Sequence, residues 1–369
     1  MTTFDIAVIG GGIVGASLAA GLAARKHRVV LFDEGDVALR AARGNLGNVW
    51  IQGKGLQFPA YADLTRIAAS KWPTFSADLE EETGVKVFYR RTGAIVPFFD
   101  LAAAQERARA LAELEEHTTV KSPFELIDNQ SIRELIPEIG PEVAAATYSA
   151  ADGSVNPLYL LRALLKSYQL RSGTYLPGHA VAEIHPNGSD FEIVTARGRW
   201  TAHKVILAAG LGNPRLAADL GLDARVFPQR GQLLVTERLK PFLNCQIMDI
   251  RQTNEGSIVF GESKEEVGED DRTTSEILEI TARRAARTLP LLRTVRIVRS
   301  WAALRVMSPD GFPIYQQSEQ FPNAFLATVH SGITLAPYHA SELADIVAAG
   351  NLPAHPLIKK FSPARFHVH

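Results

Sequence analysis

The chain opens on an unbroken apolar run, Ile6 to Ile9 within DIAVI at 5–9, with no polar alternation to mark a solvated face. Such a run, followed at once by glycines, predicts a buried parallel strand. GASLAAGLAAR, 15–25, predicts an alanine-rich amphipathic helix crossing over a sheet, and RVVLFDEG predicts a second strand ending at Asp33. LAAAQERARALAELEEH, 101–117, has helical spacing, while GTYLPGHAVAEI and KVILAAGLGN (204–213) predict strands, the latter ending in a small-residue turn. Thr273-Thr274-Ser275-Glu276 has the form of a capping box for a helix running toward Leu289, where Pro290 stops it. Near the carboxyl end, VHSGITLAPYHA (329–340) carries a His-Ser-Gly turn toward Pro337, which suits the first position of a helix. That helix would aim its positive end and its unpaired amides at whatever lies in front of it.

Between the first strand and helix, Gly10, Gly12 and Gly15 supply a G-x-G-x-x-G spacing, with Ile13 and Val14 inside it. The first glycine allows a tight turn, the second lets a pyrophosphate approach the backbone, and the third lets the helix pack on the strand. Asp33, followed by Glu34, lies eighteen residues past Gly15, near the spacing at which an acid accepts hydrogen bonds from an adenosine ribose. Strand, glycines, helix, strand and acid in this order indicate an adenine dinucleotide. NAD and FAD both stay open; an acid at 33 argues only against NADP. Where a further plain βαβ unit would follow, the chain instead reads Arg43-Gly44-Asn45-Leu46-Gly47. Backbone with so little side-chain bulk can thread past a pyrophosphate and a ring system, or form an ordinary loop.

Composition narrows the class. The 369 residues are too many for one simple core and about right for two domains. With 46% hydrophobic and 21% charged residues and a net charge of −1, the chain is ordinary globular protein without an electrostatic footprint for nucleic acid. Its one cysteine, Cys245, excludes an internal disulfide and multi-cysteine metal clusters, and points to a reducing compartment. The histidines are scattered, with only His367 and His369 close together, so no metal site is expected. No stretch reaches the ~18 apolar residues that span a bilayer. The first apolar run also lacks the basic flank and cleavage site of an export signal. The expectation is a soluble, cytoplasmic protein.

Further motifs follow in order: ADGSVNPLYL at 151–160, GTYLPGHAVAEI, KVILAAGLGN, PQRGQLLV at 228–235, RSWAALRVMSPDGFPIY at 299–315, and the terminal stretch. Together they resemble the D-amino-acid oxidase family of FAD-dependent amine oxidoreductases, which includes glycine and sarcosine oxidases, over essentially the whole chain. The run DEGDVALRAARGN followed by WIQGKG most resembles the flavoprotein β subunits of opine oxidases and the related hydrogen cyanide synthase and hydroxyproline dehydrogenase subunits. The resemblance implies an α/β, doubly wound (Rossmann-like) FAD-binding domain with an interleaved α+β substrate domain on an antiparallel sheet. The expected FAD-domain segments are 1–84, 146–224 and 300–369, with 85–145 and 225–299 in the substrate domain. The acidic run EEVGEDD, 265–271, is expected to be an exposed loop.

The resemblance also implies roles. Cofactor contacts fall to Gly10, Gly12, Ile13, Val14, Gly15, Asp33, Glu34, Arg43, Gly44, Asn45, Leu46, Gly47, Val181, Ala209 and Gly210. Ser331, Gly332, Ile333 and Thr334 would place backbone amides and a helix amino terminus against the flavin pyrimidine ring, where negative charge collects on reduction. Some relatives tether FAD through a cysteine in the segment matching RSWAALRVMS; none is present there, so FAD is expected to be non-covalent. Arg305 matches the arginine that binds the substrate carboxylate, for which a planar guanidinium offers two parallel hydrogen bonds; the alternative is a strand-end arginine paired with Asp310. His330 either lines the catalytic face or is a structural histidine. Arg251 either holds a second acidic group of an opine-like substrate or is a solvated strand residue. Asn48, Trp50, Gln52 and Lys54 alternate, and one of them could reach the flavin.

The expected chemistry is oxidation of a C–N bond in an amino acid, imino acid or opine by hydride transfer to FAD, followed by imine hydrolysis. The chain would act as the β subunit of a heteromeric assembly with partner subunits. The alternatives are a stand-alone oxidase making hydrogen peroxide, an FAD-bearing scaffold without turnover, and an NAD-dependent dehydrogenase.

Overall fold

A computed structural model describes residues 3–35, 41–42, 44–261 and 263–367. Thr3–Ile9 lies inside an eight-stranded sheet between two parallel partners, Val29–Phe32 and Gly198–Leu207, with Ile6 opposite both Val29 and Lys204. A strand covered on both faces has no solvated side, which is why its apolar run does not alternate. Thr174–Leu176 and Ala324–Thr328 extend the parallel set, and Ile314–Gln317 closes one edge antiparallel. The hairpin Val181–Asn187 and Asp190–Thr195 pairs onto Gly198–Leu207.

The first helix, Ile13–Ala24, is not amphipathic in the expected sense: every residue from Ile13 to Ala23 except Val14 is buried. The sheet, the helix Pro157–Leu170 and the terminal helix each cover one side of it, so no polar face is needed. The terminal helix also departs from expectation. It begins at Gly332, five residues before Pro337, runs to Tyr338, widens into a π turn at His339–Leu343 and continues over Ala344–Ala349. Pro337 is therefore interior, where it cannot donate to the preceding turn, and the widened turn follows directly. Inside that turn the buried His339 shares a 2.7 Å hydrogen bond through Nε2 with the Tyr315 hydroxyl.

The second sheet also has eight strands, in the order Ile297–Met307, Phe227–Arg238, Ser257–Gly261, Ile250–Gln252, Gln246–Ile247, Ala94–Phe98, Ala145–Ser149, Glu125–Asp128. Its pairings are antiparallel except that of Ala94–Phe98 with Gln246–Ile247. The expected boundaries at 145/146 and 299/300 need correction, because both cut strands that belong to this sheet. Hydrophobic pattern locates a strand but not the sheet it joins.

Leu101–His117 is the helix expected, capped by Asp100 accepting from the Ala103 amide at 3.1 Å. The capping box at 273–276 does not form. The helix Ser275–Thr288 has Thr274 at its N-cap without a side-chain cap, because the Thr274 hydroxyl accepts from Gln232 Nε2 at 3.0 Å instead. A two-stranded sheet of Asn48–Val49 and Gly153–Ser154 lies between the larger two. Among the described residues, no helix is long and apolar enough to cross a membrane, and no cluster of His, Cys, Asp and Glu could hold a metal ion.

Candidate functional site: a dinucleotide crevice beside a cationic terminal turn

The crevice forms where the parallel strands end, the usual ligand position in such sheets. Gly10 has φ +108, and a Cβ there would sit 2.5 Å from the Ala208 carbonyl oxygen, so the glycine loop and the 208–210 turn are in close contact. Ala209 donates its amide to Asn213 Oδ1 at 2.7 Å, and Gly210 has φ +58. Asp33 accepts from the amides of Gly11 (2.7 Å, Oδ2) and Gly35 (2.9 Å, Oδ1), which braces the loop. A carboxylate has about four lone-pair sites, so capacity remains for ribose hydroxyls. Glu34 is exposed beside it. Val181 is buried two residues beyond His179, whose amide donates to the Asp33 carbonyl at 2.8 Å.

Arg43 lies outside the described residues. The turn after it is tied to the second sheet and to Val155. Trp301 donates to the Gly44 carbonyl at 3.1 Å, and Asn45 Oδ1 accepts from the Gly47 amide at 2.8 Å. Leu46 packs with Leu233 and Val259. A Cβ on Gly47 would meet the Val155 carbonyl at 2.2 Å. Of the four alternating residues that follow, three face the second sheet: Asn48 donates to the Met248 carbonyl, Trp50 packs on Ala94 and Val96, and Gln52 bonds to Ala94 and Thr147. Lys54 is the one that reaches the terminal turn, donating to Ser331 Oγ at 2.7 Å. Tyr61 OH donates to the same oxygen at 2.7 Å.

Beneath this turn lies Asp152, fully buried, within the ADGSVNP stretch, where no spacing along the chain marks it for a role. Its Oδ1 accepts from the Ile51 amide at 2.5 Å, and its Oδ2 has no hydrogen-bond partner among the described residues. Burial pushes the carboxyl up to about 7, against the pull of the Ile51 and Gln52 contacts and of Lys54. From about pH 4 to pH 7 it is then protonated when folded and ionised when unfolded. The unfolded chain binds fewer protons in that window, so stability falls as pH rises through it, by on the order of 4 kcal/mol in total. Asp152→Asn keeps an oxygen for the Ile51 amide and cannot ionise. Its thermal midpoint should gain on wild type as pH is raised through this window; parallel midpoints would exclude a titrating Asp152.

The terminal turn meets the crevice. A Cβ on Gly332 would lie 3.3 Å from Val14 Cγ2 and 3.9 Å from Ile13 Cβ, so the amino ends of the first and terminal helices touch. Neither N-cap, Gly12 nor Ser331, uses a side chain to satisfy the helix amides. Ile333 is buried, and Thr334 Oγ1 accepts from the Trp50 amide at 3.0 Å while its carbonyl accepts from Trp72 at 3.1 Å. His330 is exposed at the mouth of the terminal turn, although enough protein lies around its ring to desolvate it. Desolvation holds the ring well below its ordinary pKa, and the charges of Lys54, Arg305 and Lys264 push it the same way.

The expected alternative partner of Arg305, Asp310, has its carboxylate taken by Arg365 at 2.6 Å. Arg305 Nη1 donates to the carbonyls of Ser263 (2.7 Å) and Arg230 (3.2 Å). Arg251 is not a solvated strand residue: it is buried, donates to the Val155 carbonyl at 3.3 Å, and burial pushes its guanidinium down to about 10. It stands behind the Gly47 turn in a small cavity with Arg90 and Ser154, and is not among the charges acting on His330. The acidic run is not simply an exposed loop. Glu265 pairs with Arg230 at 2.6 Å, and Asp270 Oδ2 lies 3.0 Å from Arg230 Nη1, an ion pair without hydrogen-bond geometry. Cys245 is buried, its thiol pushed up to about 12.

A glycine crevice and two helix amino ends in contact, with Lys54 donating to the terminal turn, fit an extended dinucleotide lying along them. The architecture is that of a two-sheet flavoenzyme. The chain belongs to the FAD dependent oxidoreductase (DAO) family, which it matches over residues 5–346, and is an FAD-dependent oxidoreductase. It is 39% identical over 373 residues to the B subunit of the opine oxidase of Agrobacterium tumefaciens (strain Ach5), covering 100% of this chain and 99% of that protein. It is 25% identical over 356 residues to the glycine oxidase of Geobacillus kaustophilus (strain HTA426), covering 93% of each. The crystal structure of glycine oxidase from Bacillus cereus ATCC 14579 shares the fold, with a TM-score of 0.86 at 24% identity over 94% of this chain and 95% of that one.

Proposed function

We propose that this chain oxidises the C–N bond of an amino acid or secondary amine, of the opine, imino-acid or D-amino-acid type, as the flavin-bearing subunit of a heteromeric enzyme. The observation that carries this reading is the grouping of Arg305, Lys54 and Lys264 around a neutral His330 at the terminal turn. Such a site suits a substrate with a carboxylate beside its nitrogen. Bound FAD supplies the oxidant, taking a hydride from the carbon next to nitrogen; the imine so formed hydrolyses to a carbonyl compound and an amine. Arg305 would hold the substrate carboxylate and thereby orient that carbon. Three neighbouring positive charges disfavour an ammonium and so favour the neutral amine, the form whose lone pair drives the oxidation. His330, uncharged, is free to exchange a hydrogen bond with that nitrogen. Gly10 to Gly15, Asp33, the 44–47 turn and Ser331 to Thr334 would hold the cofactor.

The test is anaerobic bleaching of the purified flavoprotein by a panel of amino acids, imino acids and opines. Bleaching by at least one amine is expected, and a panel that leaves the flavin oxidised would overturn the reading. The Agrobacterium relative is one subunit of an opine oxidase, which supports the heteromeric part. Co-purifying chains, and turnover with a dye in place of oxygen, are expected. The glycine oxidase relatives favour the second reading, a stand-alone oxidase, which hydrogen peroxide production by the isolated chain would select.

A further inference from the structure

Arg251 is a buried cation whose charge the protein does not balance at close range. It is 8% exposed and sits in the short strand Ile250–Gln252 of the second sheet. A guanidinium carries several N–H donors in a planar fork, and here Nη1 is engaged, on the Val155 carbonyl at 3.3 Å. Its Nε is buried and has no hydrogen-bond partner among the described residues. Glu255 attracts the group from beyond ion-pair distance, and Arg90 repels it. Buried charges are ordinarily paired, because desolvation without a close counter-charge is costly.

Arg90 reaches the same small cavity from a different element. Its backbone exchanges hydrogen bonds of 2.8 and 2.9 Å with Ser154 in an isolated antiparallel bridge. Gly153 permits that approach, since a Cβ on it would lie 2.1 Å from the Arg90 carbonyl oxygen. Gln252, also in the lining, is fully occupied: Oε1 accepts from the Phe242 and Leu243 amides, and Nε2 donates to the Lys240 and Gly256 carbonyls. Gln246 donates to Asn48 and leaves its Oε1 without a partner. The other polar groups of the lining are donors: the Arg90 and Arg251 guanidiniums and the Thr92 and Ser154 hydroxyls. Among the described residues no carboxylate lines this cavity, and no hydrogen bond engages the Arg90 guanidinium or either hydroxyl.

A carboxylate would bring one negative charge and two oxygens to this set. A phosphate group brings nearly two charges at neutral pH and three acceptor oxygens, which matches two guanidiniums and two hydroxyls. We propose that Arg90 and Arg251, with the Ser154 and Thr92 hydroxyls, bind a phosphate group, free or carried on a small ester, where the second sheet meets the two-stranded one. The site also bears on the cofactor crevice, because Arg251 holds the Val155 carbonyl while the Val155 amide donates to the Gly47 carbonyl at 2.9 Å. It is independent of the amine chemistry proposed above.

The test is isothermal titration calorimetry of the FAD-loaded protein with inorganic phosphate, phenyl phosphate and acetate, near neutral pH and at constant ionic strength. At least one phosphate should bind saturably, and acetate at least about tenfold more weakly. Arg90→Ala should weaken phosphate binding by at least about tenfold, the size of one lost charge-assisted contact. Arg90 is exposed, so this variant should fold as wild type does. Arg251→Met should abolish binding, and Arg251→Lys should recover only part of it, since an ammonium lacks the planar fork. Phenyl phosphate binding at least as tightly as phosphate would assign the site to an ester, and looser binding to the free ion; either result supports the site. No saturable phosphate binding into the millimolar range, binding unchanged in Arg90→Ala, or acetate binding as tightly as phosphate would each overturn it.

Discussion

Gly12→Val is expected to give a folded, colourless protein. The glycine has φ −69 and ψ −178, which any residue can adopt, and among the described residues a Cβ there would meet nothing nearer than the Ala42 Cβ at 4.0 Å. Among those residues there is therefore room for a side chain. The space in front of Gly12, at the uncapped amino end of the first helix, is where a pyrophosphate would take up the free amides. A branched side chain fills that space, and FAD affinity should fall by at least ~100-fold, roughly 3 kcal/mol. The measurement is visible flavin absorbance and cofactor retention, beside far-ultraviolet circular dichroism that stays as in wild type. Gly15→Val provides the contrast: its Cβ would lie 1.8 Å from the Gly10 carbonyl oxygen, so that variant should fail to fold. A Gly12→Val protein that stays yellow would remove the crevice from cofactor binding.

Arg305→Ala should raise the substrate concentration for half-maximal flavin bleaching by roughly 30–150-fold, the ~2–3 kcal/mol of a charge-assisted hydrogen-bonded pair. FAD should stay bound, because the arginine projects from the second sheet's Ile297–Met307 strand and not from the crevice. Its bond to the Ser263 carbonyl means that truncation also loosens the 263–265 segment, so the thermal midpoint must be measured alongside. Arg305→Lys should recover only part of the loss, since an ammonium cannot offer two parallel donors in one plane. Unchanged bleaching in both variants, with the midpoint intact, would take the carboxylate away from Arg305.

Features encoded within a few neighbouring residues were legible along the chain. The strand at 5–9, the second strand running up to Asp33 and the tight turn at Gly10 read correctly because each depends on contacts inside one βαβ unit. The helix at 101–117 did so because its cap and periodicity are local. Other expectations failed where distant chain overrode the local rule. Pro337 looks like a helix start, yet burial of Ile333, Thr334 and Leu335 against the first helix carries the terminal helix back to Gly332. Thr273 and Glu276 look like the two halves of a capping box, yet the N-cap falls on Thr274, and Gln232, forty-two residues away, takes that hydroxyl. Arg251 reads as a strand residue of unknown facing, and only the packing of the 47–49 turn places it beneath Val155.

Composition and spacing along the chain were enough to indicate an FAD-dependent oxidoreductase with a glycine turn between its first strand and helix. The physical reason is that backbone geometry and close approach at glycines are local properties. The cationic cluster beside it was not readable in that way. Lys54, Lys264, Arg305 and His330 lie far apart along the chain and share no pattern. They meet because Glu265 pairs with Arg230, Ser263 accepts from Arg305, and Ser331 accepts from Lys54. Electrostatic interactions act through space, so a charged site assembled from four separate segments takes its character from the fold.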